Sequence, residues 1–467
     1  MAYRFPIAQQ LAEKRVKIEK GEIEGSLDGL IEWYERFGKK YTADQRMEIA
    51  DALGVEKNLK DVPFTEIVPD GWLRDLLELV KESESPSPFY FLAALSVLSQ
   101  AVGRKVMIDR GTHRLGLDVS ALLISPAGRG RRSTACDFVV YEIGEAAGIN
   151  VIADSFSYEA FGDALVESVG DGKVPANRRI VGPKALIYAG EMSTLLGKGS
   201  YADSIIPKLT DIIGKTSRFE WRTVKRGGKL AFYAPCVNAC FTSAPDWLVD
   251  NLPPIVFGGG MLSRFLICVQ DQMERVVTWG DKISDSRKLE VVNGLKKLMK
   301  QMGTFGKPEG AAYKWYDSWY QTHSAKYLSG DIPDERMGPY FSRKHDHLLR
   351  LAALLTIAAG EPFTFTVAKF DQALRILDWL ERDVPKAYAR MALNPVASAQ
   401  MAMCETLKKN GGLMEHARLQ RKMFRHTPLR EQFNSVVESL ISMGVVKPVP
   451  SMTGKGRSYH LASTLED

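Results

Sequence analysis

The residues most able to do chemistry lie in the stretch LLISPAGRGRRSTACDFVV, Leu122 to Val140. An apolar run passes into a glycine-containing loop and then into a helical pattern, the context a phosphate-binding loop requires. Gly128 and Gly130 let the backbone wrap a phosphate, and the following helix start offers unpaired N–H groups with a favourable dipole. The signature is altered. If Gly130 precedes the lysine position, Arg131 stands for the lysine and Arg132 for the hydroxyl that would bind Mg²⁺. Sliding by one residue restores a hydroxyl at Ser133, with Thr134 after it, but loses the preceding glycine. Arginine neutralises phosphate charge but is bulkier and planar, so it does not replace lysine freely. Two readings follow: a nucleotide site with weakened or absent hydrolysis, and an inherited loop that no longer binds nucleotide.

A second piece lies downstream. KALIYAGEMSTLL (184–196) reads as a strand ending in Gly190-Glu191, where a nucleotide-hydrolysing site places Asp-Glu. The aspartate would serve Mg²⁺ and the glutamate would orient the attacking water. Glu191 survives and the metal-side carboxylate does not. ATP and Mg²⁺ are the cofactors such a constellation serves, and the substitutions leave their binding open. Thr242 and Ser243, closing NACFTSAP, have two readings: a sensor near a γ-phosphate, and ordinary strand-end hydroxyls. Arg264 follows a triple glycine and is a candidate arginine finger reaching a neighbouring subunit. Arg343 and Arg350, on YFSRKHDHLLRLA, are candidates for a second sensing arginine. His345 and His347 in that stretch read as solvated helix histidines, with no metal set around them.

Basic residues gather in two places. RFEWRTVKRGGK (218–229) carries Arg222, Lys225, Arg226 and Lys229 around a Gly-Gly hairpin signal. Such a hairpin can touch a nucleic-acid backbone, with Trp221 as a stacking surface. The alternative is a solvated surface hairpin. The second group is Arg421, Lys422, Arg425, Arg430, Lys455 and Arg457, joined by Arg418 and Lys447, near the C-terminus.

These groups need elements to hold them. The chain has 467 residues, too many for one hydrophobic core, so two to four domains are expected. Residues 1–62 read as a charge-rich helical module, suited to docking a protein partner. Residues 63–282 read as an α/β core whose strands are KVMID, VSALLIS, NVIAD, KALIYAG, APCVNACFTSA and SRFLICVQ. A helical lid covers 283–394. Residues 395–467 read as three helices followed by two strands joined at SMTGKG, the winged helix-turn-helix arrangement. The C-terminal basic residues then fall on its second helix, the start of its recognition helix and its wing, where phosphate contacts occur.

Composition excludes some classes. Hydrophobic residues are 45% and charged residues 25%, which argues against extended disorder. No run approaches the roughly 18 apolar residues of a membrane helix, and the first residues lack a signal-peptide pattern. Five scattered cysteines fit reduced thiols in a cytoplasmic protein. Cys236 and Cys240 read as buried apolar side chains rather than a metal site, and no metal set emerges. The net charge of +6 is too mild to identify a nucleic-acid binder by itself.

Residues 70–390 resemble a family of phage and mobile-element helicase-like P-loop proteins found alongside primase modules. The resemblance rests on PSPFYFLAALSVLSQAVGRKV, LLISPAGRGRRSTA, ADSFSYEAFGDAL, LIYAGEMSTLL and GGGMLSRFLICV. It implies a RecA/AAA+-like P-loop NTPase core, assembly as a homo-oligomer such as a ring, and a part in DNA replication of a mobile element. Active members carry the lysine and acidic residues that are altered at Arg131 or Arg132 and at Gly190. The rival expectation is a catalytically silent DNA-binding scaffold that keeps the fold for assembly and recruits a partner through residues 1–62. A transcriptional regulator using the winged helix would leave the core unexplained.

Overall fold

The computed structural model describes residues 6–19, 49, 62–153, 158–169, 178–196, 200–223, 228–245, 247–248, 260–385, 387, 395–450 and 457–461. The chain divides into two compact units, Met1–Pro385 and Lys386–Asp467. Helix α1 covers Pro6–Glu19; LIEWYERF, the rest of the expected N-terminal helical pattern, lies outside the described residues.

The larger unit is organised around a helix that is apolar on every side. After α2 (Trp72–Leu79), helix α3 (Ser87–Val102) buries every residue from Pro88 to Val102. A helix with no polar face must be enclosed, and α3 packs between the central sheet and the surrounding helices. The strand β1 (Val106–Asp109) follows, then β2 (Arg114–Gly116) and β3 (Ser120–Ile124). Next come α4 (Arg132–Asp137), which continues as a π-helical stretch through Glu145, and β4 (Val151–Ala153). Helix α5 (Tyr158–Glu167), β5 (Arg179–Val181), β6 (Lys184–Ala189) and α6 (Ser200–Ile212) lead to the hairpin strands β7 (Arg218–Thr223) and β8 (Gly228–Tyr233). The core closes with β9 (Cys236–Ser243) and β10 (Phe265–Val269).

Five strands form one parallel sheet in the order β10-β3-β9-β6-β4. All residues of β3, β9 and β10 are buried, as strands covered on both faces must be. KVMID is the exception among the predicted strands. Its β1 lies in a separate sheet, antiparallel to β2 and parallel to β11 (Gly303–Phe305). The reason is visible in its burial: Val106 and Ile108 are covered while Asp109 is exposed, the alternation of a one-sided strand. A third sheet, β5-β8-β7, carries the basic hairpin immediately before β9.

Beyond the sheet the unit is helical: α7 (Asp285–Leu298), α8 (Gly310–Ser329), α9 (Lys344–Ala358) and α10 (Val367–Glu381). Aromatic stacking ties these helices together, with Trp315 and Phe370 rings 5.4 Å apart and parallel to within 6°.

The C-terminal unit holds α11 (Pro395–Lys409), β12 (Leu413–Glu415), α12 (His416–Met423), α13 (Arg430–Ser442), β13 (Val446–Pro450) and β14 (Arg457–Leu461). Its sheet runs β12-β14-β13, antiparallel throughout. The three-residue β12 is too short to leave a period in the sequence. Met403, Leu407, Met414, Leu419, Phe433 and Val437 are among its buried core.

Candidate nucleotide site

The glycine loop leaves the C-terminal end of β3, held between β9 and β10, so its first residue is fixed by the sheet. Ser125 N donates to Ser243 O across a distance of 3.3 Å. Gly130 is there because nothing else fits: a Cβ would come within 2.2 Å of Ser125 Oγ and 3.1 Å of the Phe89 ring. Gly128 has open space around it but a φ of +74°, which favours glycine for conformational reasons. Arg131 holds a left-handed φ of 49° without being glycine. Strained backbone of this kind costs on the order of 1–3 kcal/mol and persists only where the surroundings fix it. Here the Ser85 hydroxyl donates to Arg131 O at 2.8 Å, and the Arg131 guanidinium lies 3.1 Å from Glu84 Oε2. Glu84 and Ser85 lie in ESESPSP, where no sequence signal marks them.

Arg132 turns inward. Its Nη2 lies 2.6 Å from Glu191 Oε2, its Nε 3.4 Å from Thr242 Oγ1, and its Nη1 donates to Ser125 O. The Arg132 side chain is 11% exposed and that of Glu191 32%. The second Glu191 oxygen accepts from Ala244 N at 3.3 Å, and the Thr242 hydroxyl donates to Gly190 O at 2.5 Å. The ends of β3, β6 and β9 are thus joined through one guanidinium. Ser133 and Thr134 are exposed on the first turn of α4. Below them Tyr188 donates to Asp137 Oδ1 at 2.5 Å, and burial pushes the Tyr188 phenol up. The Cys136 and Cys240 thiols lie 3.7 Å apart; this contact, followed by burial, pushes the Cys136 thiol up.

A Mg²⁺ ion of the usual kind does not fit these residues. The strand-end aspartate is Gly190, the loop hydroxyl is Arg132 in the register that takes Gly130 as the last loop glycine, and the guanidinium already bridges the loop to the acid. Among the described residues no group of three or more His, Cys, Asp or Glu could hold a metal ion.

Arg264 and Arg343 are elsewhere. Phe265 pairs with Ser120, so Arg264 stands beside the start of β3, while the loop begins at its end. At about 3.3 Å per residue the two edges are separated by some 13 Å or more. Arg264 shares a cavity of about 150 Å³ with Asp118, Asp211, Lys215, Arg343 and Arg350. Burial, and then the positive charge of Arg343, pulls Arg264 down to about 10. Arg350 is buried with its Nε donating to Gly116 O at 3.0 Å, and Asp118 is paired with Arg104 at 2.7 Å. Gly260 accepts from Arg264; Gly258 and Gly259 lie outside the described residues. The solvated character predicted for His347 is corrected: it is 2% exposed, with Nε2 2.9 Å from Ser263 O, and burial depresses it to about 3. His345 is partly buried, 3.3 Å from Asp346.

A hairpin forms here, but its turn is not the glycine pair: Gly228 already belongs to β8, opposite Thr223, with Arg222 opposite Lys229, and the connection 224–227 lies outside the described residues. Lys225 and Arg226 lie outside the described residues. Two of its charges are internally balanced: Arg218 and Lys229 both pair with Glu220, at 2.6 and 2.5 Å. Trp221 does not offer a stacking face. It is fully buried against Phe161 and Phe219, and a Cβ on Gly162 would fall 2.5 Å from its Nε1. Strand alternation explains this, since Phe219 and Trp221 share the inward side of β7.

In the C-terminal unit Arg421, Lys422, Arg425, Arg430 and Arg457 are all exposed, as are Arg418 and Lys447. Lys422 Nζ donates to Asn410 Oδ1 at 3.0 Å. Lys455 lies outside the described residues.

A parallel sheet in this order, with a glycine loop after β3, an acid after β6 and a hydroxyl ending the strand between them, defines a RecA/AAA+-like P-loop core. No protein-family model and no curated protein matches the chain. Among solved structures it is similar to a full-length MCM homolog from Methanopyrus kandleri, at 13% identity and a TM-score of 0.37, over 70% of this chain and 61% of that one. It is also similar to the ORC2 protein of Aeropyrum pernix in ADPNP-ADP complexes, at 12% identity and TM-score 0.19, over 74% and 84% of the two chains. A third is Drosophila ORC bound to DNA, at 11% identity and TM-score 0.21, over 97% of each chain. The chain thus spans 61% of the length of the MCM homolog. No helix among the described residues is long and apolar enough to cross a membrane.

Proposed function

We propose that this chain is a helicase-like, DNA-binding P-loop protein that binds ATP or its phosphates and acts in replication of a phage or related mobile element. The observation that carries the reading is the convergence of the 125–132 loop, Glu191 and Thr242 at one edge of the parallel sheet. Gly128, Gly130, Arg131, Ser133 and Thr134 would meet the phosphates. The C-terminal unit acts as a winged helix, presenting Arg421, Lys422, Arg425, Arg430, Lys455 and Arg457 to the DNA backbone. The hairpin adds Arg222, Lys225, Arg226 and Lys229. The chain works as a homo-oligomer, and a ring would bring Arg264 and Arg343 to a neighbour's nucleotide, since both lie at the edge away from their own loop. Residues 1–62 dock a partner protein, and 283–394 form the lid of the 63–282 core.

A second reading is favoured by one contact. Arg132 holds Glu191 in an ion pair, which fits a silent scaffold that keeps the fold for assembly and DNA binding. ATP binding and DNA-stimulated hydrolysis, measured with Glu191→Gln and Arg131→Ala variants, separate the two. Turnover abolished by Glu191→Gln establishes a motor; DNA binding without turnover establishes the scaffold. Absence of both nucleotide and DNA binding overturns both readings.

A further inference from the structure

We propose that the Arg132 guanidinium is a built-in cation standing in for a divalent metal, so that phosphate binding at the 125–132 loop does not require Mg²⁺. The inference rests on the nucleotide-binding reading above and specifies its chemistry.

Three observations carry it. The guanidinium is fixed rather than free: one nitrogen faces Glu191, one the Ser125 carbonyl and one the Thr242 hydroxyl. It joins the glycine loop to the acid-bearing strand, the two elements that together hold the metal in a P-loop site. The carboxylate that would hold that metal is gone at 190, and in the register that takes Gly130 as the last loop glycine the hydroxyl is gone at 132. The loss at 190 is built into the packing, because a Cβ there would lie 3.2 Å from the Tyr188 hydroxyl. That hydroxyl is in turn bound to Asp137, so a restored side chain would press on a tethered group.

Arginine suits the substitution. It is charged at every relevant pH and has five N–H donors in a planar fork that matches phosphate oxygens. Three of its nitrogens each serve one protein partner, which leaves further N–H groups for a phosphate oxygen. The same geometry would weaken turnover. Glu191 is held as the guanidinium's counter-ion, where it would otherwise be free to orient water.

The test is nucleotide affinity, not activity. Titration of the full chain with ADP and with ATP, in excess EDTA and in MgCl₂, should give dissociation constants within about threefold of each other. Arg132→Thr restores the hydroxyl and removes the cation; its affinity in EDTA should drop by about tenfold or more and recover with MgCl₂. Arg132→Lys keeps the charge without the fork and should bind with intermediate strength in EDTA. Wild-type binding that collapses in EDTA and returns with MgCl₂ overturns the proposal and leaves the nucleotide-binding reading standing. Absence of ADP and ATP binding in both conditions overturns the two together. The wild-type comparison decides the matter even if a variant fails to fold.

Discussion

Arg264 and Arg343 share one cavity at the edge of the sheet where β3 begins, whereas Glu191 and the glycine loop stand at the edge where it ends. Two arginines brought together under partial burial repel each other, and Arg264 is held below its ordinary value as a result of burial and this neighbour. An incoming anion relieves that repulsion.

If the chain hydrolyses ATP, Arg264→Ala should leave nucleotide binding intact and lower turnover by ~10³-fold or more, the usual worth of an arginine finger. Mixing Arg264→Ala with Glu191→Gln subunits should restore part of the activity, because a mixed interface contains one intact loop and one intact arginine. Failure of the mixture to exceed either variant would place Arg264 outside a shared site.

Gly130→Ala should disturb the loop through overlap with Ser125 and Phe89, costing about 1–3 kcal/mol of stability and most of the nucleotide affinity. Gly128→Ala meets nothing within 4 Å and suffers only the left-handed φ, a cost of about 1 kcal/mol. Chemical denaturation of the two variants side by side checks the ranking; a reversed order would contradict the geometry.

Trp221→Ala should destabilise the larger unit by about 3–5 kcal/mol, as expected for emptying a fully buried aromatic site. Trp221→Phe keeps most of that packing and should leave DNA affinity unchanged. A DNA-binding defect in a stably folded Trp221→Phe protein would show instead that the indole reaches nucleic acid.

His347 lies between Arg350, Arg343 and Asp346, with the Ser263 carbonyl as its hydrogen-bond partner. Its folded value of about 3 lies below the ordinary 6.5. The unfolded chain therefore takes up this proton first. The stabilising contribution is complete above pH 6.5 and is lost as the pH falls from there toward 3. The slope is at most about 1.4 kcal/mol per pH unit. Thermal unfolding of wild type and His347→Gln between pH 7 and 5 should show the variant changing less; parallel curves would remove His347 as a source of the acid sensitivity.

Much of the fold is legible in the residues. Apolar runs such as VSALLIS and APCVNACFTSA, short and bounded by turn residues, suit strands covered on both faces, and they are β3 and β9. SPFYFLAALSVLSQAV has no polar side, and it is the enclosed α3. The loop glycines are equally readable, because tight turns and close approach demand them. Amphipathic residues are less legible. Trp221 beside basic residues suggests a nucleic-acid surface, but strand alternation turns it inward. His347 sits in a charged stretch whose helix happens to pack against Ser263.

By itself the sequence determined most of the buried strands, the glycine loop after β3, the acid after β6 and the altered residues at 131, 132 and 190. Local patterns decide these, because burial and backbone conformation act over a few residues. Only the tertiary structure decided that Arg132 pairs with Glu191, 59 residues away, that Arg131 turns to Glu84, and that Arg264 joins Arg343 at the far edge. Strand order governs those meetings: β9 inserts between β3 and β6, and long-range pairing of this kind leaves no periodic trace along the chain.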